Sequence, residues 1–176
     1  VSHVVITHTH KDHCGGARAF AGRVGAPIAG AGPHPVSRGK EGAPAFEEGA
    51  DLAYTPDEIL IDGARLSGGP WTIETVTTPG HLSNHLCFAL LEEATLFTGD
   101  HIMGWSTTVV APPDGDMGDY LASLEKLLVR NDTRYLPTHG APIEKPKPFV
   151  RAIRTHRLMR DAQIVEQLRQ GRRHIR

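Results

Sequence analysis

Residues 7–16 read Thr-His-Thr-His-Lys-Asp-His-Cys-Gly-Gly, which places His8, His10, Asp12 and His13 within six positions. All four carry nitrogen or oxygen donors of the kind that suit zinc, iron or manganese. The apolar run Val4-Val5-Ile6 comes just before them and Gly15-Gly16 just after. The donors therefore belong on a loop at the end of a strand, where a rigid scaffold can aim side chains at one point. An expression tag or a solvated histidine-rich loop has neither the strand before nor the glycine turn after. His8 and His10 lie two apart and project to the same side in extended chain. Asp12 and His13 follow once the chain has begun to turn. One pair can hold one metal and the other a second metal nearby.

Four donors do not complete two metal sites, so more must come from further along. Among the eleven histidines and the acids, three positions repeat the same design. Thr78-Pro79-Gly80-His81 follows the strand-like run Trp71 to Thr77. Phe97-Thr98-Gly99-Asp100 follows Ala94-Thr95-Leu96. Leu136-Pro137-Thr138-His139-Gly140 follows Arg134-Tyr135. Each is a short β-like run, a Gly or Pro turn and one donor at the strand's end. Singly, His81 reads as a surface or core histidine and Asp100 as a turn residue. Four strand-end donors in one chain point to a common site.

The series His8-x-His10-x-Asp12-His13, then His81, Asp100 and His139 in order, resembles the metallo-β-lactamase superfamily, and the resemblance runs from Val1 to about Gly171. It implies an α/β fold, a metallo-β-lactamase-like αββα sandwich. It also implies two divalent metal ions, zinc by preference. His8, His10 and His81 would hold the first, Asp12, His13 and His139 the second, and Asp100 would bridge them. Asp12 and Asp100 would be the catalytic acids, orienting a hydroxide shared by the metals toward an ester, thioester or phosphodiester. Asp100 stands where zinc β-lactamases carry Cys, so antibiotic hydrolysis is not expected. The text from Thr98 to Thr108 and from Asp119 to Leu124 resembles the branch of the β-lactamase-like protein 2 endoribonuclease, which makes single-stranded RNA a candidate substrate. Leu82-Ser83-Asn84 departs from the acidic residues more usual there. Related alternatives are a thioesterase like glyoxalase II, a mono-iron sulfur dioxygenase, and a non-catalytic binding domain stabilised by its metal.

Composition agrees with an enzyme that has a real core: 176 residues, 39% hydrophobic. No apolar stretch approaches a membrane span, so no membrane partner is expected; a homodimer is compatible with the sequence. Cys14 and Cys87 are the only cysteines. They read as reduced thiols in a cytoplasmic setting, with Cys14 a small packed residue beside the donor loop. The chain has no initiator Met and reaches its first donor at residue 8. In the resembled fold several strands precede that loop, so a fragment is expected, with an incomplete first sheet and an unpaired edge at Val4-Val5-Ile6.

The resemblance implies a metal-hydrolase domain over 1–148, partial in this chain, and a C-terminal helix over 149–176 leading toward a winged-helix module that is expected to be absent here. Within these, a short helix is expected over Gly15 to Arg23 and strands over Val24 to Ala29, Glu58 to Ile61 and Trp71 to Thr77. A hairpin of Leu86 to Leu91 with Ala94 to Thr98 should turn at Glu92-Glu93. Helices are expected over Asp119 to Val129, opened by Asp119, and Phe149 to Gln170, ended by Gly171. Gly30 to Gly49 reads as a long surface loop, with His34 solvated. His85 and His101 read as structural residues or as supports for the donors. Ten of the nineteen Lys and Arg fall between Lys145 and Arg176, against Asp161 and Glu166. Such a segment either attracts a phosphate backbone or is an ordinary solvated face.

Overall fold

The computed structural model describes residues 1–34 and 49–172. Two sheets lie face to face. The smaller has the order β1 (Val4–Ile6), β2 (Ile28–Gly30), β3 (Glu58–Ile59), all parallel. The larger runs β4 (Arg65–Gly68), β5 (Trp71–Thr77), β6 (Leu86–Leu90), β7 (Thr95–Gly99), β8 (Arg134–Pro137). Its neighbours are antiparallel except for the parallel pair β7–β8. Between β1 and β2 the chain forms a helical turn, α1 (Lys11–Cys14), and then α2 (Ala17–Val24). Helices α3 (Met117–Val129) and α4 (Pro146–Arg169) cover the larger sheet.

Side-chain alternation explains the layers. On β6, Leu86 and Phe88 face the smaller sheet and meet Ala29, Ala31 and Leu60, while Cys87 and Ala89 face the helices and meet Leu124, Leu127 and Val150. A strand buried on both faces reads as a continuous apolar run, as Leu-Cys-Phe-Ala-Leu does. The far side of the smaller sheet is closed by Ala17 and Ala21 of α2 against Ile6 and Ile28. The order of layers is helix, sheet, sheet, helices, the αββα sandwich.

Several expectations meet this structure directly. β5 has the bounds read from the sequence, and β6 and β7 pair as the expected hairpin, with a single turn of 3-10 helix at Leu91–Glu93. Gly171 sits just past α4 at φ +76, the left-handed position that ends helices. Other boundaries differ. The strand expected over Val24 to Ala29 begins only at Ile28, because α2 runs on through Val24. Helix α3 is capped by Asp116, whose carboxylate accepts from Asp119 N at 2.9 Å; Asp119 lies in the first turn. Helix α4 starts at Pro146, since proline has no N–H to lose at a first helical position. Strand β4 was not anticipated: Arg-Leu-Ser-Gly has a single buried side chain to signal it. His34 is buried and shares a 2.8 Å hydrogen bond with Thr9 Oγ1, so it is not the solvated residue expected. Residues 35–48 of the expected surface loop, and 173–176, lie outside the described residues. Among the described residues no helix is long and apolar enough to cross a membrane.

Candidate metal centre

Strand direction brings the donors to one rim. β5, β7 and β8 run the same way, so the residues that follow them emerge at the same edge of the larger sheet. His81, Asp100 and His139 are those residues. β1 delivers His8 and His10 to the same place, and the two sheets are stitched beside them by Leu86 N donating to Thr7 O at 2.8 Å. The turn α1 then carries Asp12 and His13. Gly99 is required at this rim. It has φ +51, and a Cβ there would come within 2.7 Å of His85 Nε2.

One donor group is histidine-rich. His10 Nδ1 lies 3.0 Å from His8 Nε2 and 3.0 Å from His81 Nε2. His81 Nδ1 is 2.6 Å from the Val109 carbonyl, which only accepts, so the proton sits on Nδ1 and the Nε2 lone pair faces the cluster. Burial, followed by the neighbouring imidazoles, drives the His8 ring strongly toward the neutral form. Burial first, then His81, brings His10 down to about 4. Neutral imidazoles are the ones that ligate metals.

The other group is carboxylate-rich. His13 Nε2 is 3.5 Å from Asp12 Oδ2 and 3.4 Å from Asp100 Oδ1. His139 Nε2 is 3.3 Å from Asp12 Oδ2 and 3.5 Å from Asp100 Oδ1. Asp100 faces both groups, since its Oδ2 lies 3.9 Å from His81 Nε2. Burial works to raise the Asp100 carboxyl, but the adjacent imidazoles of His13, His81 and His139 outweigh it and hold the group below its ordinary range.

The arrangement fits divalent cations. His13 Nε2 and Asp100 Oδ1 are buried and have no hydrogen-bond partner among the described residues. Facing polar atoms left unpaired in an interior cost free energy unless a third group binds both. Three sets of donors, His8–His10–His81, His8–His13–Asp100 and Asp12–His13–His139, each lie within 4.8 Å of one another. All are imidazole nitrogens and carboxylate oxygens, a set suited to zinc, iron or manganese.

Other residues at the rim were only partly legible in the sequence. His85 is fully buried and accepts from Asp100 N at 3.1 Å, while its Nδ1 bonds Thr78 Oγ1 at 2.9 Å. It fixes the backbone of the central acid. His101 is buried with both ring nitrogens unpartnered among the described residues, and burial holds it down to about 3. Trp105 is 74% exposed and lies parallel to the His139 ring, 6.1 Å between centroids, at the open side of the cluster. Cys14 is buried against apolar residues of α2 and β1 with its Sγ 3.9 Å from Asp51 Oδ2, and burial, followed by Asp51, pushes its thiol up to about 11, which disfavours the thiolate. The basic helix is not one uniform arginine face: Arg154 pairs with Glu125, Arg160 with Gln163, and Arg157 turns inward.

The family model of the metallo-beta-lactamase superfamily matches residues 1–139. A beta-lactamase-like protein 2 homolog of Caenorhabditis elegans is 33% identical over 177 residues, covering 97% of this chain and 52% of the relative. The atrochrysone carboxyl ACP thioesterase of Aspergillus fumigatus is 32% identical, covering 94% of this chain and 46% of the relative. The chain thus spans about half the length of these curated relatives. Among solved structures, a metallo-beta-lactamase family protein of Thermus thermophilus superposes with a TM-score of 0.72 at 22% identity, covering 91% of this chain and 62% of that one. The same fold, and a family match that runs from the first residue to the last of the seven donors, lead to one assignment: the chain belongs to the metallo-beta-lactamase superfamily.

Proposed function

We propose that this chain carries the catalytic centre of a metal-dependent hydrolase that cleaves an ester-type bond, with a thioester as its first candidate substrate. The observation that supports this most is Asp100, a mostly buried carboxylate with one oxygen toward His13 and His139 and the other toward His81. His8, His10 and His81 would hold one divalent cation and Asp12, His13 and His139 a second, with Asp100 between them and zinc the metal favoured by the donor set. Such a cation pair, when bound, supplies ionisation of a water at neutral pH and stabilisation of charge on the attacked group.

The chain's own residues do the rest. Asp12 is exposed at the open side of the cluster, so its carboxylate can accept a proton from an incoming water and orient it. His139, flanked by Trp105, forms the adjoining wall, against which the apolar part of a substrate can lie. Asp100, braced through its backbone by His85, holds negative charge at a fixed point between the two donor groups. The thioester is favoured over a phosphodiester by the similarity to a named thioesterase, and because two of the α4 arginines are engaged within the fold, Arg154 with Glu125 and Arg157 with the Thr108 carbonyl.

The test is elemental analysis of the purified protein, followed by turnover of acyl-pantetheine thioesters, simple phosphodiesters and single-stranded RNA. Two metal equivalents per chain with thioester cleavage is the expected result. One iron per chain with oxygen consumption would identify a dioxygenase instead, and cleavage of RNA but not of thioesters would move the substrate to nucleic acid.

A further inference from the structure

Arg157 lies in the first half of α4 and does not point to solvent like the other arginines of the helix. Its guanidinium donates to the Thr108 carbonyl and lies over the Tyr120 ring, 5.4 Å from the centroid. Both partners lead to the donors. Thr108 precedes Val109, whose carbonyl accepts the His81 Nδ1 proton at 2.6 Å, and Thr108 Oγ1 is itself 3.4 Å from that nitrogen. Tyr120 is fully buried; its hydroxyl donates to the His101 carbonyl at 3.1 Å, directly after Asp100. Its backbone presses on the turn before His81, where a Cβ on Gly80 would come within 2.4 Å of Tyr120 Cα.

We propose that Arg157 is a positioning residue of the metal centre, clamping the segment that orients His81 and bracing the tyrosine that supports the Asp100 turn. The inference rests on the reading that His81 and Asp100 are metal ligands. A donor imidazole is only as well aimed as the acceptor on its other nitrogen. Here that acceptor is a backbone carbonyl in a segment without regular structure, running from His101 to Asp116. The guanidinium suits the task because one planar group can donate at its edge and stack with its face, which an ammonium cannot do. Charge alone is not the point, since Arg154, one turn earlier, pairs instead with Glu125 of α3.

The experiment uses the full chain, stripped of metal and titrated with zinc against a chromophoric chelator. Arg157→Met and Arg157→Lys are compared with wild type and with Arg154→Met. The expected result is that Arg157→Met weakens one of two zinc equivalents by about tenfold or more, with a smaller loss of the same equivalent in Arg157→Lys and no change in Arg154→Met. A second readout is the downfield proton resonance of His81 Nδ1–H, which should exchange with solvent faster in both Arg157 variants. If Arg157→Met does not fold, the lysine variant carries the comparison. Wild-type zinc binding together with unchanged binding and an unchanged His81 proton in the Arg157 variants overturns the positioning role alone. A wild type that takes up no zinc overturns the metal-centre reading, and this inference with it.

Discussion

His8 and His81 approach Asp100 from beneath the surface, each held through its second nitrogen, by Thr7 Oγ1 and by the Val109 carbonyl; on the solvent side His139 reaches the same acid and Asp12 faces His139, with no such brace among the described residues. The side chain of Asp12 is 61% exposed and that of His139 31%, against 11% for Asp100. The covered side has its entropy already spent in folding, because its rings are locked before any ligand arrives. The open side keeps mobility and access. In the proposed two-cation centre, the covered side would bind one cation firmly and the open side would leave the other accessible to a substrate.

The largest expected effect comes from the residue common to both sides. Asp100→Ala should lower turnover by about 100-fold or more and reduce the metal content, because the carboxylate that separates the two donor groups is gone. A variant with full turnover and two metals would end the comparison, since the sides would not share a centre. Next in size, dialysis against a chelator should remove two equivalents in separate steps, with affinities differing by about tenfold or more. His139→Ala should abolish the weaker step and leave the tighter one; simultaneous loss in the wild type would show that the braces do not matter.

A third test addresses the covered side through pH. Burial is the largest cause that holds His10 down to about 4 and His101 to about 3, from an ordinary 6.5. Between about 6.5 and these values the unfolded chain binds more protons than the folded one, so folding weakens as pH falls through that window. The metal-free protein should lose melting temperature steadily from about pH 6.5 toward 4, with a shallower slope in His10→Gln. A flat profile would mean that the imidazoles are not held neutral by burial. The smallest effect concerns the open side: Trp105→Ala should raise KM by about two- to tenfold, as loss of one aromatic contact does, and leave metal content unchanged.

The sequence marked the seven residues that the fold gathers at one rim because metal chemistry allows few residue types and strand ends repeat one design. It showed β5 and the β6–β7 hairpin because their apolar runs are bounded by Gly, Pro and acids. It did not show the helical turn at Lys11–Cys14, since four residues carry no periodicity. Nor did it show the acceptor for His81, because a backbone carbonyl leaves no mark on residue identity. Arg157 read as one more cation in a basic helix. Only the path of the chain between Gly99 and Asp116 reveals that it faces inward.

The stretch that carries Trp105 meets the loop after His139 backbone to backbone. Gly104 N donates to His139 O at 2.8 Å, and a Cβ on Gly140, at φ +100, would come within 2.7 Å of Gly104 Cα. A laboratory library aimed at new substrates should therefore hold Gly104 and Gly140 constant and randomise Trp105 and Val109, the exposed neighbours. Diversity at the glycine seam would be spent on clones whose two loops no longer meet, whereas diversity beside it reshapes the entrance on an unchanged frame.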